Sequence, residues 1–201
     1  GRRERAGVAV TRIIAGAARG RRLAVPMGTV TRPTSDRARE GLFATVAAIH
    51  GPLHGARVLD LFAGSGAVGL EALSRGAARV VFVESDARVA RVIRANVAVV
   101  ALPGGEVICE RVERFLRRGP GDEHAVDLVV ADPPYAASGA EVTGMLAALA
   151  ARGWLKPGAL VAVERATRSG AVAWPGGYIP DRSRRYGEAT FWYGLAAAEA
   201  S

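Results

Sequence analysis

Thirteen residues constrain this chain more than any others: Val58-Leu59-Asp60-Leu61-Phe62-Ala63-Gly64-Ser65-Gly66-Ala67-Val68-Gly69-Leu70. An apolar run closes on an acid, breaks into glycines, and resumes with helical spacing. That order reads as strand, tight loop and helix N-terminus. Glycines let the loop backbone approach a ligand closely, and the helix end offers unpaired N–H groups. Gly64, Gly66 and Gly69 satisfy the spacing G-x-G-x-x-G, which suits a dinucleotide as well as other nucleoside ligands. Asp60 bears on the choice. A carboxylate at the loop mouth would repel a pyrophosphate and suit a ligand that carries positive charge. S-adenosylmethionine (SAM) has a sulfonium, an ammonium and no phosphate, so a SAM site is the first hypothesis.

The same alternation continues on both sides of that stretch. Strands are expected at Arg57–Phe62, Arg79–Val83, Glu106–Cys109, Val126–Ala131 and Ala159–Glu164, the last after a Pro157-Gly158 turn. Helices are expected at Ala67–Ser74, Asp86–Val100, Val112–Arg117 and Ser138–Arg152. Strand and helix at βαβ spacing give an α/β, doubly wound, mostly parallel sheet. Val126–Ala131, apolar throughout, reads as its centre. Two further strands are expected near Gly170–Trp174 and Ala189–Leu195. Ahead of the sheet, Gly1–Gly7 reads as frayed, and Val8–Ile14 with Arg21–Val25 as a β-hairpin around a Gly16–Gly20 turn. Arg32-Pro33-Thr34-Ser35-Asp36 reads as the start of a helix to about Ile49, with Thr or Ser as the cap.

A chain of 201 residues fits one domain with a small appendage. Its net charge of +8 calls for an anionic partner, with nucleic acid foremost, and Lys156 is its only lysine. Arginine forks suit phosphate and stack on bases. Cys109 is alone, which excludes an internal disulfide and fits a reducing cytoplasm; it is expected as a buried thiol. His50, His54 and His124 show no metal-ligand pattern. No secretory signal and no stretch of membrane-spanning length is read in the chain.

Glu84 ends its strand 18 residues after Gly66, at the carboxyl edge of the sheet where open α/β folds bind ligands. An acid there accepts both ribose hydroxyls of NAD or SAM alike. Asp132-Pro133-Pro134-Tyr135 closes the central strand. Two prolines remove two N–H donors, so the turn presents acceptors: the Asp132 carboxylate and the Pro133 carbonyl. An exocyclic amine held by both points its nitrogen lone pair outward, and Tyr135 can stack on a flipped base. An NAD-linked oxidoreductase has no use for this turn. A non-catalytic RNA-binding protein has none either.

Asp60–Gly66 together with Asp132–Tyr135 resembles the first and fourth motifs of SAM-dependent amino-methyltransferases. More of the chain resembles the bacterial small-subunit (16S) rRNA guanine-N2 methyltransferases of the RsmD type. Arg12–Gly16 with Arg19–Arg21 looks like that family's opening, and Arg32–Arg37 with Arg39-Glu40 like its next signature. Asp60–Gly76 is similar to its SAM loop, and Tyr186-Gly187 to its final signature. The match spans about Arg12 to Leu195.

The resemblance implies a Rossmann-like class I methyltransferase sheet with an antiparallel last strand and an N-terminal hairpin. It implies methyl transfer from SAM to N2 of a guanine, nucleotide 966 of 16S rRNA, with S-adenosylhomocysteine as product and no metal. Adenine N6, cytosine N4 and protein glutamine are alternatives that the Asp132–Tyr135 turn does not separate. The site residues expected on SAM are Thr34, Asp36, Asp60, Phe62, Ala63, Gly64, Ser65, Gly66, Glu84, Ser85, Arg111, Val112 and Asp132. Asp132, Pro133, Pro134 and Tyr135 carry the chemistry. Arg12, Arg19, Arg21, Arg22 and Arg32, and a loop cluster of Arg182, Arg184 and Arg185, are the RNA contacts. The expected partner is small-subunit rRNA or the assembling 30S particle, met by a cytoplasmic monomer. The expected division is an RNA-contacting arm over 1–27, a methyltransferase domain over 28–195, and a tail over 196–201. On that division the core folds and binds SAM without residues 1–25.

Overall fold

The computed structural model describes residues 10–28, 34–121 and 124–198. Gly1–Gly7 and Arg32 lie outside the described residues. Two short antiparallel strands, β1 (Val10–Arg12) and β2 (Arg22–Ala24), form the expected hairpin. Helix α1 (Asp36–His50) follows, and the choice of cap falls on Ser35, whose hydroxyl accepts the Ala38 N–H at 3.1 Å. Then come β3 (Arg57–Leu61), α2 (Ala67–Ser74), β4 (Arg79–Glu84), α3 (Ala87–Val100), β5 (Gly105–Cys109), α4 (Val112–Arg117), β6 (Val126–Ala131) and α5 (Gly139–Ala151). The chain finishes with β7 (Leu155–Ala166), β8 (Tyr178–Tyr186) and β9 (Ala189–Ala196).

Seven strands form one sheet in the order β5-β4-β3-β6-β7-β9-β8. The first five are parallel; β9 runs antiparallel between β7 and β8. β6 lies at the centre, as its unbroken apolar run requires, because a strand covered on both faces has no polar side. Alternation still sorts its residues. Leu128 and Val130 join the face covered by the hairpin, α1, α2 and α3, whereas Val129 and Ala131 join the face under α4 and α5.

Residues 10–25 are part of this core rather than an appendage to it. Ile13, Ala18 and Leu23 are buried in the same cluster as Phe43, Leu70 and Phe82. Buried polar side chains of the helices stitch the hairpin down. Glu71 on α2 accepts the N–H groups of Ile14 (2.7 Å) and Ala15 (3.1 Å). Asn96 on α3 accepts the Ala24 N–H and donates to the Ala24 carbonyl, both at 2.9 Å. Ser74 accepts the Ala18 N–H and donates to the Ala15 carbonyl. Removing residues 1–25 would orphan all of these groups, so an independently folding core is not what this packing supports.

Three other expectations are corrected. Pro157-Gly158 does not precede the fifth parallel strand but lies inside β7, where the pairing jumps from Val126↔Leu155 to Leu128↔Leu160. Such a bulge absorbs a proline that a regular ladder would not. The penultimate strand is Tyr178–Tyr186 rather than Gly170–Trp174. Val172 and Trp174 alternate like a strand because both pack from an irregular segment onto the α5 face. β8 itself is a mostly exposed edge strand with no apolar alternation to read. Finally, Cys109 is exposed, because β5 is the opposite edge of the sheet and the residue sits at its end.

Candidate active site

The strand order reverses between β3 and β6, which opens a crevice at their carboxyl ends. A cavity of about 840 Å³ occupies it, within the range of roughly 300–1,000 Å³ usual for ligand sites. Thr34, Asp60, Phe62, Ala63, Gly64, Ser65, Glu84, Ser85, Asp132 and Pro134 line it together.

The loop after β3 is shaped by backbone demands. Phe62 has φ +57°, Gly64 +57° and Gly66 +79°. A side chain on Gly64 would meet nothing within 4 Å, so its glycine serves the left-handed turn. Gly69 is there for packing: a Cβ would come within 2.3 Å of the Phe82 ring. Asp60 is 4% exposed, and its carboxylate accepts the Gly69 N–H at 3.0 Å, tying the strand end to the first turn of α2. Burial pushes its carboxyl up to about 8, with the neighbouring Glu84 charge adding to the rise and the Gly69 bond opposing it. The acid is thus poorly compensated within the protein, which is the condition a cationic ligand relieves.

Glu84 ends β4. Its two oxygens accept the N–H groups of Gly64 and Asp86, each at 3.1 Å, so it braces the glycine loop against the start of α3. A carboxylate has about four acceptor positions, and two remain for hydroxyls. This set of donors and acceptors fits the expected cofactor: carboxylates for its positive groups and for a ribose, and an open glycine backbone between them. Among the described residues no cluster of metal-ligating side chains occurs.

The Asp-Pro-Pro-Tyr turn leaves β6 directly over the crevice. The Asp132 N–H still reaches the Leu61 carbonyl (3.3 Å), and Ala137 N–H closes the turn on the Pro134 carbonyl (2.9 Å). Arg165 props it from β7 by donating to the Ala137 carbonyl at 2.9 Å. Pro133 is buried; Tyr135 is 51% exposed with the Arg168 guanidinium 6.0 Å from its ring centre.

Asp132 also hydrogen-bonds the Glu164 side chain, and Thr34 Oγ1 donates to Glu164 Oε2 at 3.0 Å. Burial first, and then the adjacent Glu164 charge, hold the Asp132 carboxyl well above the usual carboxylate range. Burial raises Glu164 as well, against the lowering effect of its bonds to Thr34 and Asp132. Two carboxyl groups that hydrogen-bond each other share a proton, so the turn of the free protein is not purely an acceptor.

Four of the residues expected on SAM do not line the cavity, nor do Pro133 and Tyr135 of the turn. Gly66 stands behind the loop as the residue before α2, Asp36 accepts from Thr11 (3.1 Å) and pairs with Arg39 (3.4 Å), Arg111 is exposed beside Glu113 (3.6 Å), and Val112 is buried in the α4–α5 core. Arg12, Arg19, Arg21 and Arg22 are exposed on the hairpin. Arg182, Arg184 and Arg185 are exposed as well, but on strand β8 rather than in a loop.

The structure adds lining residues that the motifs did not single out: Val25–Gly28 from the hairpin exit, Phe191 on β9, and Glu164. Glu164 left a signal. It is an acid directly after the apolar run Ala159–Val163, as Asp60, Glu84 and Asp132 follow theirs.

This sheet order, the glycine loop braced by an acid and the Asp-Pro-Pro-Tyr turn define a Rossmann-like domain of the methyltransferase type. The family profile described as Conserved hypothetical protein 95 matches residues 11–194, and the chain belongs to that family. Ribosomal RNA small subunit methyltransferase D of Escherichia coli is 37% identical over 180 residues, which are 90% of this chain and 87% of that one. The protein of the same name from Haemophilus influenzae is 40% identical over 155 residues, 76% of this chain and 77% of its own. Among solved structures, yhhF of Escherichia coli, a proposed methyltransferase, superposes with a TM-score of 0.82 at 32% identity, covering 95% of this chain and 100% of that one. SMU.776, a proposed methyltransferase solved with SAH, shares the fold at a TM-score of 0.67 and 14% identity, over 87% of this chain and 53% of its own.

Proposed function

We propose that the protein transfers a methyl group from SAM to the exocyclic N2 of a guanine in small-subunit ribosomal RNA, nucleotide 966 by family likeness. The observation that carries this reading is the convergence of Asp60, Gly64, Ser65, Glu84, Asp132 and Pro134 on one cavity. SAM, when bound, supplies an electrophilic methyl group on a positively charged sulfur. Glu84 accepts the ribose hydroxyls, and Asp60 faces the positive end of the ligand. Asp132 and the Pro133 carbonyl accept the two amine hydrogens of the base, which directs the nitrogen lone pair away from the turn. That amine is a weak nucleophile because its lone pair is delocalised, so positioning and charge stabilisation carry the rate. Tyr135, half in solvent, offers a face for the flipped base. Exposed arginines on the hairpin and β8 hold phosphates outside the cavity. The names of the D-type relatives support rRNA as the substrate class. The reading includes a monomeric cytoplasmic enzyme that meets the rRNA free or in the assembling 30S particle.

The test is methyl transfer from tritiated SAM to small-subunit rRNA carrying either guanosine or inosine at the target. Inosine lacks the N2 amine, so the guanosine RNA is expected to be labelled and the inosine RNA to bind unlabelled. Equal labelling of both would overturn N2 as the acceptor and point to another amine, adenine N6 or cytosine N4 on the RNA.

A further inference from the structure

Glu164 lies outside every motif discussed above, yet it is 9% exposed, stands near the carboxyl end of β7 beside β6, lines the cavity, and is bonded to both Asp132 and Thr34. An acid buried against a second acid is costly unless a proton is shared between them. Arg165, one residue on, does not neutralise it: its guanidinium donates to the Ala137 carbonyl instead. Among the described residues, the other charged groups acting on the pair are Asp60, which is another acid, and Arg165, whose opposing effect is the smallest of those on Asp132. The neighbourhood therefore favours one negative charge on the pair, not two.

We propose that Glu164 is a positioning residue for methyl transfer: it holds one proton against Asp132, fixing that carboxyl group toward the acceptor amine. The inference rests on the amino-methyltransferase reading above. The shared proton lies toward Asp132, whose hydroxyl donates to the Glu164 carboxylate, and the other Asp132 oxygen is left to accept an amine hydrogen. Thr34 holds the far side of Glu164 and prevents it from turning away. As the nitrogen–methyl bond forms, the carbon–sulfur electron pair leaves with sulfur and the nitrogen sheds one proton. The singly charged pair takes that proton, becomes neutral, and returns it to water after the product leaves. A doubly ionised pair would repel itself apart and lose the alignment.

Two measurements test this. The first needs no activity: carboxyl 13C NMR of the SAM-free protein, titrated with pH, for wild type and Glu164→Gln. In the wild type the Asp132 and Glu164 signals should move together, with a last step above the ordinary carboxylate range. In Glu164→Gln, whose amide is a permanent donor, the Asp132 step should fall to lower pH. An Asp132 titration identical in both proteins overturns the proposal. The second is single-turnover methyl transfer at saturating SAM from about pH 6 to 9. Wild-type turnover should fall on the alkaline side as the pair loses its second proton. Glu164→Gln should lack that fall, and Glu164→Leu, with no donor, should be slower than Glu164→Gln by roughly ten- to hundredfold. SAM affinity measured by calorimetry should hold within a fewfold for both. Equal rates for Gln and Leu, or an unchanged alkaline limb in Glu164→Gln, overturn the role of Glu164. A wild-type enzyme that labels no RNA refutes the methyl-transfer reading instead, and the NMR titration then decides the shared proton by itself.

Discussion

Replacing Glu71 by alanine should destabilise the protein and weaken its cofactor site, although Glu71 does not line the cavity. Its side chain is fully buried and lies between Arg39, also fully buried, and Arg75. Arg39 Nε is 3.5 Å from Glu71 Oε1, and Arg75 Nε 3.3 Å from Oε2, while the same oxygens accept two hairpin N–H groups. Arg39 reaches on to Thr11 Oγ1 and the Arg12 carbonyl. Removing one member of a buried ion pair costs roughly 3–5 kcal/mol, because the other charge stays desolvated. Orphaned backbone N–H groups would add about 1–3 kcal/mol each if water did not reach them. Arg39 keeps three other acceptors, Thr11 Oγ1, the Arg12 carbonyl and Asp36, and Arg75 can turn to solvent, so the total belongs near roughly 3–5 kcal/mol. With a urea m-value of about 2 kcal/mol/M, the unfolding midpoint should drop by about 2 M. The complementary arm replaces the pair by apolar groups. Arg39→Met should cost less in a Glu71→Leu background than alone, with a coupling of about 1–3 kcal/mol. SAM calorimetry completes the test: the hairpin exit at Val25–Gly28 lines the cavity, so Glu71→Ala should also raise the SAM dissociation constant. A midpoint shift equivalent to less than about 1 kcal/mol, or additive Arg39 and Glu71 effects, would refute the view of the hairpin as part of the core.

Two further outcomes are expected. Asp60 titrates near 8 in the folded protein and at the ordinary carboxylate value in the unfolded chain, so between about pH 4 and 8 the folded state holds the extra proton. Stability of the SAM-free protein should therefore fall as pH rises through that window, by up to about 1.4 kcal/mol per pH unit from this group. Asp60→Asn should flatten that slope, and SAM binding near pH 7 should release protons, seen as a buffer-dependent heat; a slope unchanged in Asp60→Asn would sink the assignment. Tyr135→Ala should leave folding and SAM affinity intact while weakening RNA binding by about 1–3 kcal/mol, the scale of one base–aromatic stack. Unchanged RNA affinity in that variant would remove Tyr135 from the base-holding role.

The alternation of strands and helices was legible because a buried parallel strand leaves a continuous apolar run and its helix leaves a 3.6-residue stripe. Helix α4 and strand β6 fall at the expected residues for that reason. Asp60, Glu84 and Asp132 were legible because each is an acid at the end of an apolar run, where the topology must bring strand ends together. Glu164 obeys the same rule, but no glycine loop or proline turn follows it to attract attention. β8 was hidden because its pairing with β9 is made by backbone groups, which carry no residue signature, while its side chains face water. The hairpin's place in the core was hidden differently. Arg12, Arg19, Arg21 and Arg22 dominate its composition, whereas Ile13, Ala18 and Leu23 do the packing, and the groups that receive its backbone lie 56 to 72 residues away on α2 and α3.

The distribution of charge links the two halves of the proposed reaction. The chain carries +8 overall, yet the cavity gathers Asp60, Glu84, Asp132 and Glu164 near the carboxyl ends of four adjacent strands, with Asp86 and Arg88 also in its lining. Burial raises the carboxyls of Asp60, Asp132 and Glu164, and neighbouring acid charge adds to the rise at Asp60 and Asp132. A cationic ligand supplies a compensating charge where a phosphate-bearing one would add to the repulsion. Exposed arginines stand on the hairpin and β8, outside the crevice, where phosphate can be held without entering it, while Arg88 is in the cavity lining itself. A polyanion is therefore attracted to the surface but only an uncharged portion of it, a base, fits beside the acids. The basic exterior and acidic interior thus select the same substrate geometry: backbone outside, base inside, and a positively charged methyl donor between the strand ends.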